Sequence, residues 1–171
     1  MIAGPFECKT YEEFMQREWA EDQLEKWPKE RVAGFGVYNN KLKGMPQGPT
    51  TFPVPFVRAY EHGWCDFIPT YRGRGKTNVG SQPAMVSAYA LGKVLVPQAE
   101  AYTLHVGFDD WIKVWIDSKE AYSGRHDKGF AEDNVKVNLP VGEASILVKL
   151  SNFDNLQWRN WAFAIQLEKQ H

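Results

Sequence analysis

The feature that most constrains this chain is a regular alternation of apolar and polar residues along its second half. Apolar side chains recur at every second position in successive short segments, at 102–108, 112–116, 135–139, 146–150 and 161–167. This is the period of a β-strand with one face buried. Turn-forming sequences such as DSKE at 117–120 and PVGE at 140–143 separate strands, and no helical pattern intervenes. The pattern therefore predicts an antiparallel β-sandwich or barrel.

The N-terminal part of the chain has a different pattern. Residues 10–29 indicate a short helix, because Thr10 followed by Glu13 forms a capping box and apolar residues recur on one side. Pro28 ends this helix. Its charged residues are interpreted as a solvated face.

The middle of the chain is less regular. Residues 39–55 are rich in Gly, Pro, Asn and Thr and are predicted to form a loop with room for one edge strand. Strands are predicted near 57–60 and 64–70, and residues 71–83 return to loop composition. The whole chain, 1–171, is interpreted as one domain, with its best-defined strands at 85–168.

Composition excludes several classes of partner. The chain has 171 residues, with 20 Lys and Arg against 21 Asp and Glu, giving a formal net charge of −1. This balance argues against a nucleic-acid or acidic-membrane partner. We find no apolar window of about 20 residues and no signal-peptide pattern. The protein is then either intracellular or a module of a longer exported chain, in which case it is extracellular or periplasmic. Cys8 and Cys65 are compatible with a disulfide or with two buried thiols.

Three segments carry a family resemblance: GFDDWIKVWIDSKEAYSG, DNVKVNLPVGEASILVKLSN and WAFAIQL. They resemble the galactose-binding-like jelly-roll domains found as accessory carbohydrate-binding modules in bacterial glycoside hydrolases and polysaccharide lyases. The likeness extends over residues 85–168. The chain departs from the pattern in two places: Asp117-Ser118 replaces the hairpin Asn-Gly, and Ala144 replaces an Asn. The resemblance implies an all-β jelly-roll sandwich with a short N-terminal helix, accompanied by other domains of a parent enzyme.

Strand reversal predicts where a binding site lies. Residues 71–83, 109–110, 124–133 and 152–160 are expected at one end of the sandwich, and only short turns at the other. Long loops at one end of a rigid sandwich are where binding residues usually occur. A sugar needs an aromatic face for its C–H side and polar groups for its hydroxyls. The candidate sugar-binding residues at this end are Tyr71, Arg72, Arg74, Arg125, His126, Asp127, Asn155 and Trp158. The arginines favour an acidic sugar such as a uronate.

Other residues at this end have structural interpretations. Asp109 and Asp110 are predicted to close a tight turn and to cap backbone N–H groups. Alternatively, they join Asp127 or Asp133 around a structural calcium ion, although their spacing matches no EF-hand. The sequence otherwise predicts no cofactor.

The remaining aromatic and histidine residues are assigned mainly to the fold. Trp111 and Trp115 share one strand face and are expected to be buried beneath the N-terminal segment rather than to form an exposed platform. Trp161 is expected in the core. His105 is interpreted as a hydrogen-bonded structural residue.

The sequence contains no catalytic signature that we can identify. It has no G-x-S-x-G, no H-E-x-x-H and no pair of His at metal-ligand spacing. Two non-enzymatic functions remain. In the first, the domain binds a glycan and targets a linked enzyme to it. In the second, it is a structural or docking module that contacts a protein through an apolar patch around Trp19, Trp111 and Trp115.

Overall fold

The computed structural model describes residues 2–16, 50–54, 64–71, 78–79, 82–153 and 161–170. The early elements are β1 (Ile2–Glu7), α1 (Tyr11–Gln16), β2 (Thr50–Val54), β3 (Trp64–Asp66), α2 (Ile68–Tyr71), β4 (Asn78–Val79) and β5 (Gln82–Pro83). The later strands are β6 (Val86–Val96), β7 (Glu100–Ile116), β8 (Lys119–Leu139), β9 (Gly142–Asn152) and β10 (Ala162–Lys169).

One curled antiparallel sheet forms the two layers of the sandwich. Its strand order is β2-β1-β6-β9-β7-β10-β3, and β8 pairs with β7. Strand β7 belongs to both layers, because its residues 112–116 pair with β9 and its residues 102–108 pair with β10. Layer one is therefore β2-β1-β6-β9-β7, and layer two is β3-β10-β7. The predicted all-β antiparallel sandwich is confirmed.

The core lies between the two layers. It is built from the apolar members of the alternating segments, which include Ala88, Ile112 and Val148 from layer one. Layer two contributes residues such as Val106 and Phe163. The period-2 pattern thus directs one side of each layer inward, as the sequence predicts.

The structure corrects the prediction for residues 109–110 and 124–133. Asp109 and Asp110 do not close a turn, because they lie inside the continuous strand β7. Residues 124–133 are not a loop, because they lie inside β8. Phe108 pairs with Ala131, and Asp110 pairs with His126. An advance of two residues along β7 is therefore matched by five residues along β8. This bulge bends the strand pair from one layer to the other. Its Gly and polar residues imitate a turn in the sequence.

The predicted N-terminal helix is confirmed over Tyr11–Gln16, and residues 17–29 lie outside the described part. The capping box is present: the Glu13 N–H donates to Thr10 Oγ1 at 3.1 Å, and Glu13 Oε2 accepts from the Lys9 N–H at 2.8 Å.

The middle of the chain agrees in part with the sequence. Strand β2 is the predicted edge strand, since β1 is its one pairing partner among the described strands. The strand predicted at 64–70 is shorter: it ends at Asp66, whose side chain accepts a hydrogen bond from the Ile68 N–H at 2.9 Å and starts α2. Residues 57–60 lie outside the described part.

The turn at Asp117-Ser118 is tight despite the missing Asn-Gly. Both residues have positive φ, at 47° and 66°, as in a type I′ turn. Asp117 Oδ1 accepts hydrogen bonds from the backbone N–H and the hydroxyl of Ser145, at 2.8 and 3.0 Å. This side chain therefore ties the β7–β8 turn to β9. Cys8 and Cys65 are both buried and form no disulfide with each other.

Candidate functional site

The site begins where β7 and β8 bend between the layers. There Trp111 pairs with Arg125, and Asp110 pairs with His126. The structure therefore places Arg125, His126 and Asp127 beside Asp110 at this bend, within strand β8 rather than in the predicted end loop.

An aromatic cluster supports this bend on the outer face of layer one. Trp111 is only 2% exposed. Its ring packs against Tyr11 and Phe14 of α1, with centroid distances of 5.4 and 5.9 Å, and against Phe153 at 4.9 Å. The prediction that Trp111 is buried beneath the N-terminal segment is confirmed. Trp115 on the same strand face is also buried, at 6% exposed.

Two buried lysines anchor α1 over this face. Lys149 Nζ donates to the carbonyl of Phe14 at 2.5 Å, and Lys113 Nζ donates to that of Met15 at 3.4 Å. These carbonyls belong to the last turn of the helix, where acceptors lack helical partners and positive charge is favourable. The lysines therefore fix the helix, and with it the ring of Tyr11, above the sheet.

Arg125 and Asp127 form the exposed polar part of the site. Arg125 Nε lies 2.6 and 2.7 Å from the two carboxylate oxygens of Asp127, and the side chains are 47% and 54% exposed. The guanidinium carbon lies 5.2 Å from the Tyr11 ring centroid and 5.7 Å from that of Trp111. Trp111 Nε1 donates to Asp127 Oδ1 at 3.4 Å. The hydrogen bond from Arg125 holds the pKa of Asp127 below its usual value.

His126 points away from this exposed pair. Its ring stacks on Phe108 at a centroid distance of 4.0 Å, and its Nε2 lies 2.9 Å from Asp133 Oδ2. The same carboxylate oxygen accepts a hydrogen bond from the hydroxyl of Tyr122. His126 Nδ1 is buried without a hydrogen-bond partner among the described residues. In this arrangement His126 is part of a polar network behind the surface.

Asp109 and Asp110 are buried, at 2% and 6% exposed. Asp110 Oδ2 accepts a hydrogen bond from the Phe153 N–H at 2.7 Å. Asp110 therefore caps a backbone N–H group as predicted, but it does so from within a strand and not from a turn. Burial raises the pKa of Asp110 to about 7 and also raises that of Asp109. For the calcium alternative, the described residues contain no group of three or more His, Cys, Asp or Glu arranged to hold a metal ion.

Other predicted residues take different places. Tyr71 lies in the core with its ring centroid 5.4 Å from that of Trp161, so its face is covered and is not offered to a ligand. Trp161 is fully buried, as predicted. His105 is hydrogen bonded to Glu168 and Glu132, which agrees with its structural interpretation. The remaining candidates, which lie outside the described residues, are Arg72, Arg74, Asn155 and Trp158.

The role of Tyr11 beside Arg125 was not predicted. The sequence carries one signal for it, since the capping box places Tyr11 at the first helical position. That this position lies against Trp111 is known only from the structure. Within the described ranges, no helix is long and apolar enough to cross a membrane.

Comparison with known proteins gives matches among solved structures. No protein-family model and no curated protein matches the sequence. A β-glucosidase from Kluyveromyces marxianus is 10% identical, with a TM-score of 0.39, over 50% of this chain and 11% of the enzyme. The matched region thus spans only about a tenth of that enzyme.

Two carbohydrate-binding modules are also similar in structure. A family 35 module from Clostridium thermocellum is 19% identical, with a TM-score of 0.32, over 48% of this chain and 70% of the module. A family 35 module from an environmental isolate is 15% identical, with a TM-score of 0.36, over 54% and 78%. The described part of this chain is an all-β antiparallel sandwich, and the structures similar to it include these two modules.

Proposed function

We propose that this chain is a single, non-catalytic carbohydrate-binding domain whose glycan contacts the exposed Arg125–Asp127 pair. The observation that supports the proposal is the position of this pair over two aromatic rings, those of Tyr11 and Trp111. Asp127 holds the guanidinium through Nε, and the terminal nitrogens have no hydrogen-bond partner among the described residues. A preorganised donor group on a rigid strand loses little conformational entropy when it binds a ligand.

The chemistry of the pair favours an acidic glycan. The guanidinium fork of Arg125 matches the two oxygens of a carboxylate, and charge-assisted bonds of this kind are about twice as strong as neutral ones. The Asp127 carboxylate beside it accepts hydrogen bonds from sugar hydroxyls. A uronate offers both groups on one ring, a carboxylate and vicinal hydroxyls. We therefore propose a uronate-containing polysaccharide as the ligand, with any linked enzyme brought to it by effective concentration.

The alternative, a protein-docking module, needs a broad apolar surface around Trp111 and Trp115. These two side chains are 2% and 6% exposed, because other parts of the chain cover them. Trp19, the third member of that patch, lies outside the described residues. The buried state of the two tryptophans favours the glycan function over docking through this face.

The test is calorimetric titration of the whole chain with polygalacturonate, alginate and glucuronoxylan oligosaccharides. Arg125→Lys keeps the charge but removes the fork, so we expect at least a tenfold loss of affinity, equivalent to about 1.4 kcal/mol. Arg125→Ala is expected to lose more. Lys119→Ala is the control, because it removes one positive charge from an exposed residue of the β7–β8 turn.

Two results would contradict the proposal. One is equal affinity of wild type and Arg125→Ala for the bound uronate. The other is no binding to any member of a broad glycan array on which a known module gives signal. The second result would favour the docking alternative and direct the work to a protein partner.

A further inference from the structure

The second half of β8 forms an edge of layer two. Residues 131–139 pair with residues 100–108 of β7, and β10 lies on the other side of that strand. Among the described strands, β7 is the one pairing partner of β8. The backbone groups of 131–139 that point away from β7 therefore have no strand partner in this part of the structure. Such an edge is a template on which another strand can pair.

The burial of two valines agrees with an open edge. Val135 and Val137 pack against the core and pair with Leu104 and Tyr102 of β7. These β7 residues are 0% and 6% exposed, whereas both valines are only half-buried. Inward-facing side chains at an edge have a neighbouring strand on one side and none on the other. A strand added at this edge would remove the remaining apolar surface of both valines from water.

The outer side chains of the same segment carry charges of opposite sign. Glu132, Asn134 and Lys136 alternate along the exposed face of β8. The Glu132 side chain is 57% exposed although it contacts His105 at 3.2 Å, and Lys136 forms no ion pair within the described residues. No proline interrupts residues 131–139. A strand added here therefore meets one negative and one positive side chain, four residues apart.

A second copy of this edge complements the charge pattern. Residues that face each other across an antiparallel pair lie on the same face, so outer residues meet outer residues. When a two-fold axis passes through Asn134, Glu132 of each copy faces Lys136 of the other. Moving the axis by one residue in either direction places Glu132 opposite Asn134 or Asn138 and removes both ion pairs. Asn134 on the axis meets its own copy without repulsion, because an amide both donates and accepts hydrogen bonds.

We propose that two copies of this chain pair through residues 131–137 of β8, antiparallel and in the register centred on Asn134. Layer two then continues from one copy into the other, and Ala131 of one copy covers Val137 of the other. Charged residues at an edge usually prevent such pairing, whereas in this register opposite charges meet. One pair of strands is a small interface, so the dimer dissociates on dilution.

The experiment is sedimentation equilibrium of the whole chain, without glycan, from micromolar to millimolar protein. We expect wild type to pass from monomer to dimer over this range. Lys136→Glu and Glu132→Lys each convert both ion pairs into like-charge pairs, so each variant alone should raise the dimer dissociation constant about tenfold or more. An equimolar mixture of the two variants should dimerise as wild type does, because the glutamates of one copy then face the lysines of the other.

Lys119→Glu is the matched control, since it makes the same change of charge at an exposed residue outside 131–137 and should dimerise as wild type does. The proposal is overturned if wild type is monomeric at every concentration, or if Lys136→Glu dimerises as wild type does. It is also overturned if the mixture dissociates as readily as the separate variants, because the facing charge pairs would then not be the cause. No glycan is present, so these results are independent of the uronate proposal.

Discussion

The attachment of helix α1 to the sheet rests largely on one side chain, Phe14. Phe14 is fully buried, and its ring packs against that of Trp111. Lys149 Nζ lies 4.7 Å from the centroid of the Phe14 ring. Truncating a buried Phe to Ala typically costs about 3–5 kcal/mol, and a desolvated cation–π contact contributes about 1 kcal/mol or more. We expect Phe14→Ala to weaken the attachment of α1 by about 4 kcal/mol.

This loss should appear locally. A helix of six residues is not stable alone in water, so it unfolds when its contacts with the sheet weaken. The assay is native-state hydrogen exchange at two amides: that of Phe14, which donates to the Thr10 carbonyl at 3.0 Å, and that of Glu13, which donates to Thr10 Oγ1. A change of 4 kcal/mol corresponds to faster exchange by up to about a thousandfold.

Gln16→Ala is the control, because Gln16 lies on the same helix but is exposed and uncharged. A second measurement is uronate binding, which should weaken in Phe14→Ala because Tyr11 would no longer lie beneath the Arg125 guanidinium. The reasoning is refuted if exchange at Phe14 and Glu13 rises less than tenfold. It is also refuted if all core amides lose the same protection, since α1 would then unfold only with the whole domain.

Two further predictions concern pH. Hydrogen bonds that His105 donates to the carboxylates of Glu168 and Glu132 raise the pKa of His105. The stability that the charged imidazole contributes, about 0.5–1 kcal/mol, is therefore present below pH 6.5 and is lost as pH rises through the folded-state pKa. Urea denaturation at pH 5.5 and 8.5 should show this loss in wild type, and a His105→Gln variant with the same loss would refute it. Burial raises the pKa of Asp110 to about 7, so its ionisation destabilises the fold as pH rises from about 4 to 8. Asp110→Asn keeps an oxygen that accepts the hydrogen bond from the Phe153 N–H. We expect this variant to be more stable than wild type by about 1–2 kcal/mol at pH 8 and no more stable at pH 4. Equal stability of the two proteins at pH 8 would contradict the raised pKa of Asp110.

Local sequence was sufficient to predict strands that have one exposed face and one buried face. The alternation at 102–106 follows directly from the burial of one face, whereas at 112–116 both faces are buried, although the strand lies where the pattern predicts it. The capping box likewise needs only three neighbouring residues. These features could be predicted because their causes lie within a few positions of one another.

The errors have non-local causes. Asp109-Asp110 resembles a turn, but β7 continues through it because β8 pairs with it on both sides of the bend. Tyr71 follows a predicted strand and resembles a surface aromatic. It is buried because α2 brings it against Trp161, about 90 residues away in the chain. No local pattern contains either partner, so single-sequence reasoning placed these residues by composition.

The bulge in β8 decides which of its residues face outward in each layer. Arg125 and Asp127 precede it on the outer face of layer one, and Phe130 and Glu132 follow it on the outer face of layer two. In a regular strand, residues an odd number of positions apart point to opposite sides. The extra residues of the bulge, with Gly129 at φ 101°, change that parity and carry both pairs outward in different layers. One local irregularity in β8 thus turns the Arg125–Asp127 pair outward on layer one and Glu132 outward on layer two.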